Sequence, residues 1–307
     1  MKIYISTSVN PYFNLALEEY LVKHTDINIF LFYINTSSVI IGKHQIPFKE
    51  VCPTYFVDDK FELLRRISGG GAVYHDIGNI NFSIIKTTEP GKQVNFKKYA
   101  GYIADYLSSI GLKPYFDKRN NLFIDGKKIS GNAEFVYKNR VLHHGTILYN
   151  TNLEILKNIL KNNNAKSYKS KAVLSVPSDV TNISNYINTN KDSKAFLLDI
   201  CNYITDKHNT SEAKGFYEID EVYKLAEQRQ SLSWVCGYSP DYVLDNDLCE
   251  ISVSNGRIKK IKKLVTLFDF DINILFGKFH HPKVIAKALY DKNISNKEID
   301  NIINIIF

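Results

Sequence analysis

Three consecutive glycines inside a strand-rich stretch, RRISGGGAVYHDIGNINFS at residues 65–83, constrain this chain more than any other feature. Glycine weakens a strand and buries no side chain, so a run of three marks a place where the backbone itself must be bare. Consecutive glycines let main-chain N–H groups converge on one point, and the missing Cβ atoms let an anion come close. Arg65 and Arg66, just upstream, can neutralise phosphate charge, one of them through paired hydrogen bonds. Gly69–Gly71 beside Arg66 therefore reads as a cradle for a phosphate or a carboxylate; a tight turn or bulge between strands is the alternative. There is no GxxxxGK[ST] motif, and Tyr74 stands where a GxGxxG starting at Gly69 needs glycine.

The sequence around this block alternates helix and strand signals. Asn10 caps a helix that opens at Pro11, with Phe13, Leu17, Tyr20, Leu21 and His24 assigned to one face. INIFLFYI and SSVIIGKH read as buried strands, as do FELLRRI and NINFSIIKT on either side of the glycines. A helix is expected over residues 96–110. NNLFIDGKKISGNAEF reads as strand, Asp-Gly turn, strand, followed by the strand RVLHHGTILYN and the short helix NLEILKNILK. Residues 161–182 are polar and weakly periodic and read as a long mobile loop. Helices are expected over 182–207 and 211–232. After Pro240 the character changes to a hairpin with an Asn255–Gly256 turn and two short helices, the second capped by Ser295 and Glu298. The reading is an α/β (α+β) chain with a main unit over 1–240 and a small α+β unit over 241–307.

Composition narrows the class of protein. The chain has 307 residues, 44% of them hydrophobic and 23% charged, which is ordinary globular composition. The N-terminus lacks the apolar core of a signal peptide and no apolar run reaches the length of a membrane span, so a cytoplasmic location is expected. Four scattered cysteines without a CxxC pair argue against a zinc site and give no disulfide framework. The net charge of +7 is spread along the chain as lysines, and no nucleic-acid recognition motif accompanies it.

Two further segments carry candidate chemistry. In DGKKISGNAE, Lys128 precedes the small residues Ser130 and Gly131, over which a lysine can reach a bound anion; a surface hairpin lysine is the plainer alternative. The adjacent His143 and His144 cannot chelate one ion, because neighbouring strand residues point to opposite faces. At most one of them faces a site.

Taken together, NPYFNLALEEYL at 10–21, VIIGKHQ at 39–45, LLRRISGGGAVYHDIGNINFS at 63–83, GKKISGNA at 126–133, HHGTIL at 143–148 and VTN at 180–182 closely resemble the lipoate-protein ligase A family. GRIKKIK and LFGKFHHPKVIAKAL resemble the accessory C-terminal domain of its longer members. The resemblance implies a mixed-sheet, biotin/lipoate ligase-like catalytic domain and a two-step reaction. Lipoate and MgATP give lipoyl-AMP, and the acyl group then passes to a lysine of a carrier domain, a 2-oxoacid dehydrogenase E2 subunit or the glycine-cleavage H protein. It implies ATP binding by Arg66, the backbone of Gly71, Ala72, Val73 and Tyr74, and Lys128. Lys128 is the implied catalytic residue, in contact with both acyl carboxylate and phosphate. Ser68, Gly69, Gly70, His75 and Asn79 would line the rest of the lipoate pocket, and the loop with Lys171 resembles the segment that closes over the adenylate. Neither nucleic acid nor membrane is an expected partner.

The chain departs from the family pattern in places. Asn121 stands where an acidic residue is usual, which bears on magnesium. Gln45–Ile46 replaces a glutamine–asparagine pair, and Pro177 and Asp179 replace two arginines in the loop. The rival readings are an ATP-independent octanoyl or lipoyl transferase, which needs a cysteine at the pocket, and a non-catalytic lipoate- or carrier-binding homologue.

Overall fold

Six strands build the central sheet of the computed structural model, which describes residues 1–92, 94–161, 165–208, 210–212, 219–264 and 271–307. Their order is Asn132–Tyr137, Arg140–Leu148, Asn79–Thr87, Ile29–Ile34, Lys2–Ile5 and Ser211–Glu212. The last three run parallel to one another and the other pairs are antiparallel, so the sheet is mixed, as expected. Helices Phe96–Ser109 and Ser193–His208 cover one face around Phe30, Phe82, Ile103 and Ile200. Helices Pro11–His24 and Asp220–Gln230 cover the other around Leu17, Leu21, Leu31 and Leu142.

Several local expectations hold. The Asn10 side chain accepts from the amides of Tyr12 (2.9 Å) and Phe13 (3.2 Å), with Pro11 in the first turn. Asn255 and Gly256 make the hairpin turn with φ of 50° and 68°, and Ser295 with Glu298 forms the capping box of Asn296–Ile306. Others need correction. The face of Pro11–His24 is rotated from the apolar reading: Asn14 and Glu18 are buried and His24 is exposed. Buried polar partners, described below, outweigh the apolar spacing there. The expected helices at 182–207 and 211–232 shorten to Ser193–His208 and Asp220–Gln230; residues 213–218 lie outside the described residues.

A small sheet positions the glycine block. The strands Glu62–Arg65, Ser38–Ile41 and Val73–His75 pair in that order, so residues 66–72 form the loop between its two outer strands. Gly42, which ends the middle strand, abuts this loop so closely that a Cβ there would lie 2.1 Å from the Gly70 carbonyl oxygen.

The chain beyond residue 240 forms a four-stranded sheet with helices Pro282–Tyr290 and Asn296–Ile306. Its outer strand is Tyr168–Lys169, drawn from the segment expected to be a loop, of which 162–164 lie outside the described residues. Val39, Phe48 and Phe56 share one core with Ile285, Ile302 and Phe307, and the Phe48 and Phe307 rings sit 5.0 Å apart. His280 is enclosed here: Tyr242 donates to its Nδ1 (2.7 Å), its Nε2–H donates to the Ile306 carbonyl (2.7 Å), and its ring stacks on Phe307.

Arg65 ties these regions together. Its guanidinium donates to the carbonyls of Gly42, Lys43, Gln45, Trp234 and Val235 and to Ser239 Oγ, over 2.6–3.2 Å. Burial lowers its pKa to about 10, so it stays charged at neutral pH. Arg65→Ala strips several buried carbonyls of their donor at once and should cost about 3–5 kcal/mol in urea unfolding. A second expectation concerns pH. Burial holds His280 and His281 down to about 4, against 6.5 in the unfolded chain. Between those values the unfolded state binds more protons, so stability should fall as pH drops below about 6.5, by about 2 kcal/mol per ring at pH 5. Unfolding curves at pH 7.5, 6 and 5 check this.

Candidate active site

The glycine loop owes its shape to a buried cation. Arg66 Nε donates to Ser68 Oγ (2.9 Å) and the Gly69 carbonyl (3.1 Å), Nη1 to the Ile40 carbonyl (3.1 Å), and Nη2 to the carbonyls of Gly69 and Gly71 (2.8 Å for Gly71). With carbonyls turned in toward the guanidinium, the loop is held open around it. Gly70 takes φ of +88°, a conformation that costs other residues more. Burial lowers the Arg66 pKa to about 10, opposed by the charge of Glu18.

A relay of side chains continues from Arg66 into the sheet. Because Ser68 Oγ accepts from Arg66, it donates to His144 Nε2 (2.6 Å), and His144 Nδ1–H donates to Glu18 Oε2 (2.9 Å). Glu18 Oε1 accepts from Tyr33 OH (2.8 Å) and from Ser83. The Ser68–His144–Glu18 order has the spacing of a nucleophilic triad. Ser68, however, is 1% exposed and does not line the cavity, so the relay orients groups and attacks nothing.

The loop and the sheet enclose a cavity of about 320 Å³. Of the residues singled out from sequence, Arg66, Gly70, Gly71, Ala72, Val73, His75, Asn121 and Lys128 line it. Val73 and His75 alternate onto the cavity side of their strand. Tyr74, between them, turns into the apolar core beside Phe61. His75 is 3% exposed and its pKa is lowered to about 3 by burial and by the charge of Arg66, so it is neutral. Ser68, Gly69 and Asn79 do not line it; Asn79 Nδ2 donates to Oδ1 of Asn81, which does (2.9 Å). Lys171 is exposed and does not line it, while Val173–Val176 of the same segment form one wall.

Lys128 faces the glycine loop from the Lys127–Ser130 strand. Its backbone pairs with the end of the loop: its N–H donates to the Asp179 carbonyl (2.8 Å), and its carbonyl accepts from Thr181 (3.1 Å). Its ammonium lies so close over Gly131 that a Cβ there would be 3.0 Å from Nζ. Among the described residues no hydrogen bond or ion pair engages that ammonium, and burial lowers its pKa while Asp117 opposes the shift. The cavity thus sets the desolvated Lys128 ammonium opposite the glycine loop.

Asn121, at the acidic position of the pattern, donates through Nδ2 to Asp117 Oδ2 (3.0 Å), leaving its Oδ1 on the side of Gly131 and Lys128. No Asp or Glu lines the cavity, and no group of three His, Cys, Asp or Glu side chains among the described residues is placed to hold a metal. The histidine pair divides as alternation requires. His144 faces the cavity, and His143 faces Phe82, Phe96 and Tyr99 with Nδ1 2.9 Å from Glu134.

Sequence reasoning missed Tyr33, Asn81, Thr146 and Ser175 at the cavity and Glu18 behind it. Period-two alternation in the central strands could have flagged Asn81. Nothing local singles out Glu18 or Ser175.

Comparison with known proteins gives the family of the chain. The profile of the lipoyl protein ligase A/B catalytic domain matches residues 10–205. Lipoate-protein ligase LplJ of Bacillus subtilis is 33% identical over 94% of this chain and 92% of its own length. Among solved structures, a bipartite lipoate protein ligase from Thermoplasma acidophilum, studied with its E2 lipoyl domain, superposes with a TM-score of 0.64 at 24% identity, over 76% of this chain and 95% of its own. Lipoate-protein ligase A bound with ATP superposes with a TM-score of 0.60 at 23% identity, over 75% and 93%. The chain belongs to the lipoyl protein ligase A/B family and has its fold.

Gly131→Ala tests the placement of the cation. The new methyl group meets the flexible end of Lys128, so the fold should stay within about 0.5 kcal/mol of wild type while Nζ shifts. Turnover by the family's reaction should fall about tenfold to a hundredfold, as small misplacements of a reacting group do. Steady-state kinetics beside thermal unfolding checks both.

Proposed function

We propose that this chain is an ATP-dependent, AMP-forming lipoate–protein ligase, acting in the cytoplasm on lipoyl carrier domains, an E2 subunit or the glycine-cleavage H protein. The observation that carries this reading is the desolvated Lys128 ammonium, without an ion-pair partner among the described residues, facing the backbone of Gly70–Ala72 across one cavity. Adenylation must bring a carboxylate against the α-phosphate, and two anions repel unless a cation stands between them. A desolvated ammonium does this more strongly than one in water, because little solvent screens it.

In the first step a lipoate carboxylate oxygen bonds to the α-phosphorus of ATP, the bond from that phosphorus to the β-phosphate bridging oxygen breaks, and pyrophosphate leaves. Lys128 neutralises charge at the joining oxygens. The amides that Arg66 holds around the glycine loop receive the nucleotide phosphates. The acyl chain lies along Val73, Ile40 and Leu15 toward Tyr33. In the second step a neutral carrier lysine attacks the acyl carbonyl, the C–N bond forms, the C–O bond to AMP breaks, and the amine gives up a proton to water. The wall at Val173–Val176 shields the mixed anhydride from water.

Magnesium would supply positive charge on the phosphates. The residues present fit it only as a neutral ligand: among the described residues no carboxylate lines the cavity and Asn121 Oδ1 lies near Gly131 and Lys128, so the ion would be held mainly by phosphate oxygens and water. We also assign 1–240 to the catalytic domain and 241–307 to an accessory unit docked through the shared core. Against a thioester transferase, none of the four cysteines lines the cavity. Among the described residues no helix is long and apolar enough to cross a membrane.

The test is purified protein with lipoate, MgATP and candidate carriers, read by intact mass and pyrophosphate release. Carrier mass should rise by one lipoyl group only with ATP, and Lys128→Ala should slow labelling at least about a hundredfold. Labelling without ATP, or at the wild-type rate in Lys128→Ala, would sink the reading.

A further inference from the structure

One hydroxyl pins the wall of the cavity. Ser175 Oγ lies 2.8 Å from the Ala72 backbone nitrogen and 3.1 Å from Gln45 Nε2, so two N–H donors converge on a single oxygen. The Gln45 donor is built in. Gln45 is 0% exposed, and its Oε1 accepts from the Gly42 N–H (2.8 Å), which leaves Nε2 pointed at Ser175. The Ala72 N–H directly follows the glycine block, and Gly71 is bare just where Ser175 packs: a Cβ there would meet Ser175 at 2.8–3.1 Å.

The segment holding Ser175 in this position is lightly anchored. Its amide donates to Glu50 Oε2 (3.0 Å) and the Val173 amide to the His44 carbonyl (3.3 Å), but the apolar side chains around it, Val173, Leu174 and Val176, are 46%, 55% and 60% exposed. Side chains that exposed add little burial to closure. The Ser175 hydroxyl therefore makes this stretch's hydrogen bond to the glycine loop, and a hydroxyl is a neutral acceptor. An anionic oxygen makes hydrogen bonds roughly twice as strong to the same donors.

We propose that Gln45 Nε2 and the Ala72 N–H form a site for a non-bridging phosphate oxygen of the nucleotide, which Ser175 Oγ fills until nucleotide displaces it. The inference rests on the ATP-dependent reading above and adds Gln45 as a nucleotide-binding residue and Ser175 as its competitor. Closing the cavity without nucleotide and admitting nucleotide then become two occupancies of the same two donors.

Calorimetric titration with MgATP in the absence of lipoate, where no turnover occurs, tests this. Ser175→Ala removes the competitor from an accessible loop and should bind ATP about fivefold more tightly, the size of one neutral hydrogen bond. Gln45→Glu keeps the acceptor for Gly42 but loses the donor and should bind about tenfold more weakly. In hydrogen exchange, the Ala72 amide should exchange faster in Ser175→Ala and regain protection when ATP is added. Wild-type binding that Ser175→Ala leaves unchanged or weakens, or ATP that fails to protect Ala72, overturns this inference and leaves the ligase reading standing. Wild-type protein that binds no ATP overturns both. Should Gln45→Glu not fold, the Ser175→Ala titration and exchange decide alone.

Discussion

The burial of the Arg66 guanidinium is the constraint around which the rest of the site is arranged. A charge out of water needs its donors satisfied, and here carbonyls of the glycine loop and of the neighbouring strand do so. Turning those carbonyls inward requires a backbone without side chains, which the glycine block supplies. The same geometry requires Gly42 to be bare, because the loop presses against it. From sequence, Arg66 beside three glycines reads as a direct phosphate ligand. In the fold its donors shape the loop, and any anion would be received by the main chain that Arg66 holds in place.

The cation also explains the polar chain that runs inward from it. Ser68 accepts from Arg66, His144 accepts from Ser68, and Glu18 ends the chain with a carboxylate that balances the buried charge. Each member is fixed in orientation by the next, so His144 reaches the cavity in one tautomer. This is why helix Pro11–His24 turns Asn14 and Glu18 inward against its apolar pattern. Asn14 itself holds Asn35 (2.8 Å), whose amide donates to His75 Nδ1 (3.1 Å), so a second polar chain seats the other cavity histidine.

The neighbouring Arg65 does for the whole molecule what Arg66 does for the loop. It draws the 42–45 turn and the 234–239 segment onto one guanidinium, and the C-terminal sheet starts directly after. With Phe48 and Phe56 in a core shared with Phe307, the C-terminal unit borrows stability from the main body. Composition alone suggested a more separate tail, because each half carries its own strands and helices and the pairing of Tyr168 with Leu244 spans distant parts of the chain.

Local rules settled much of this protein in advance. The cap at Asn10, the Asn255–Gly256 turn, the Ser295 capping box, the Asp125–Gly126 turn and the opposite facing of His143 and His144 all follow from interactions within a few residues. So does the need for a bare backbone at Gly69–Gly71, and with it the location of the cavity. Tertiary structure alone decided what that backbone faces. It brought Lys128 across from the glycines, set Gln45 and Ser175 against Ala72, turned Tyr74 into the core, and left Lys171 in solvent. Those outcomes depend on strand order and on which buried charges find partners, and contacts between residues far apart in sequence leave no periodicity from which to infer them.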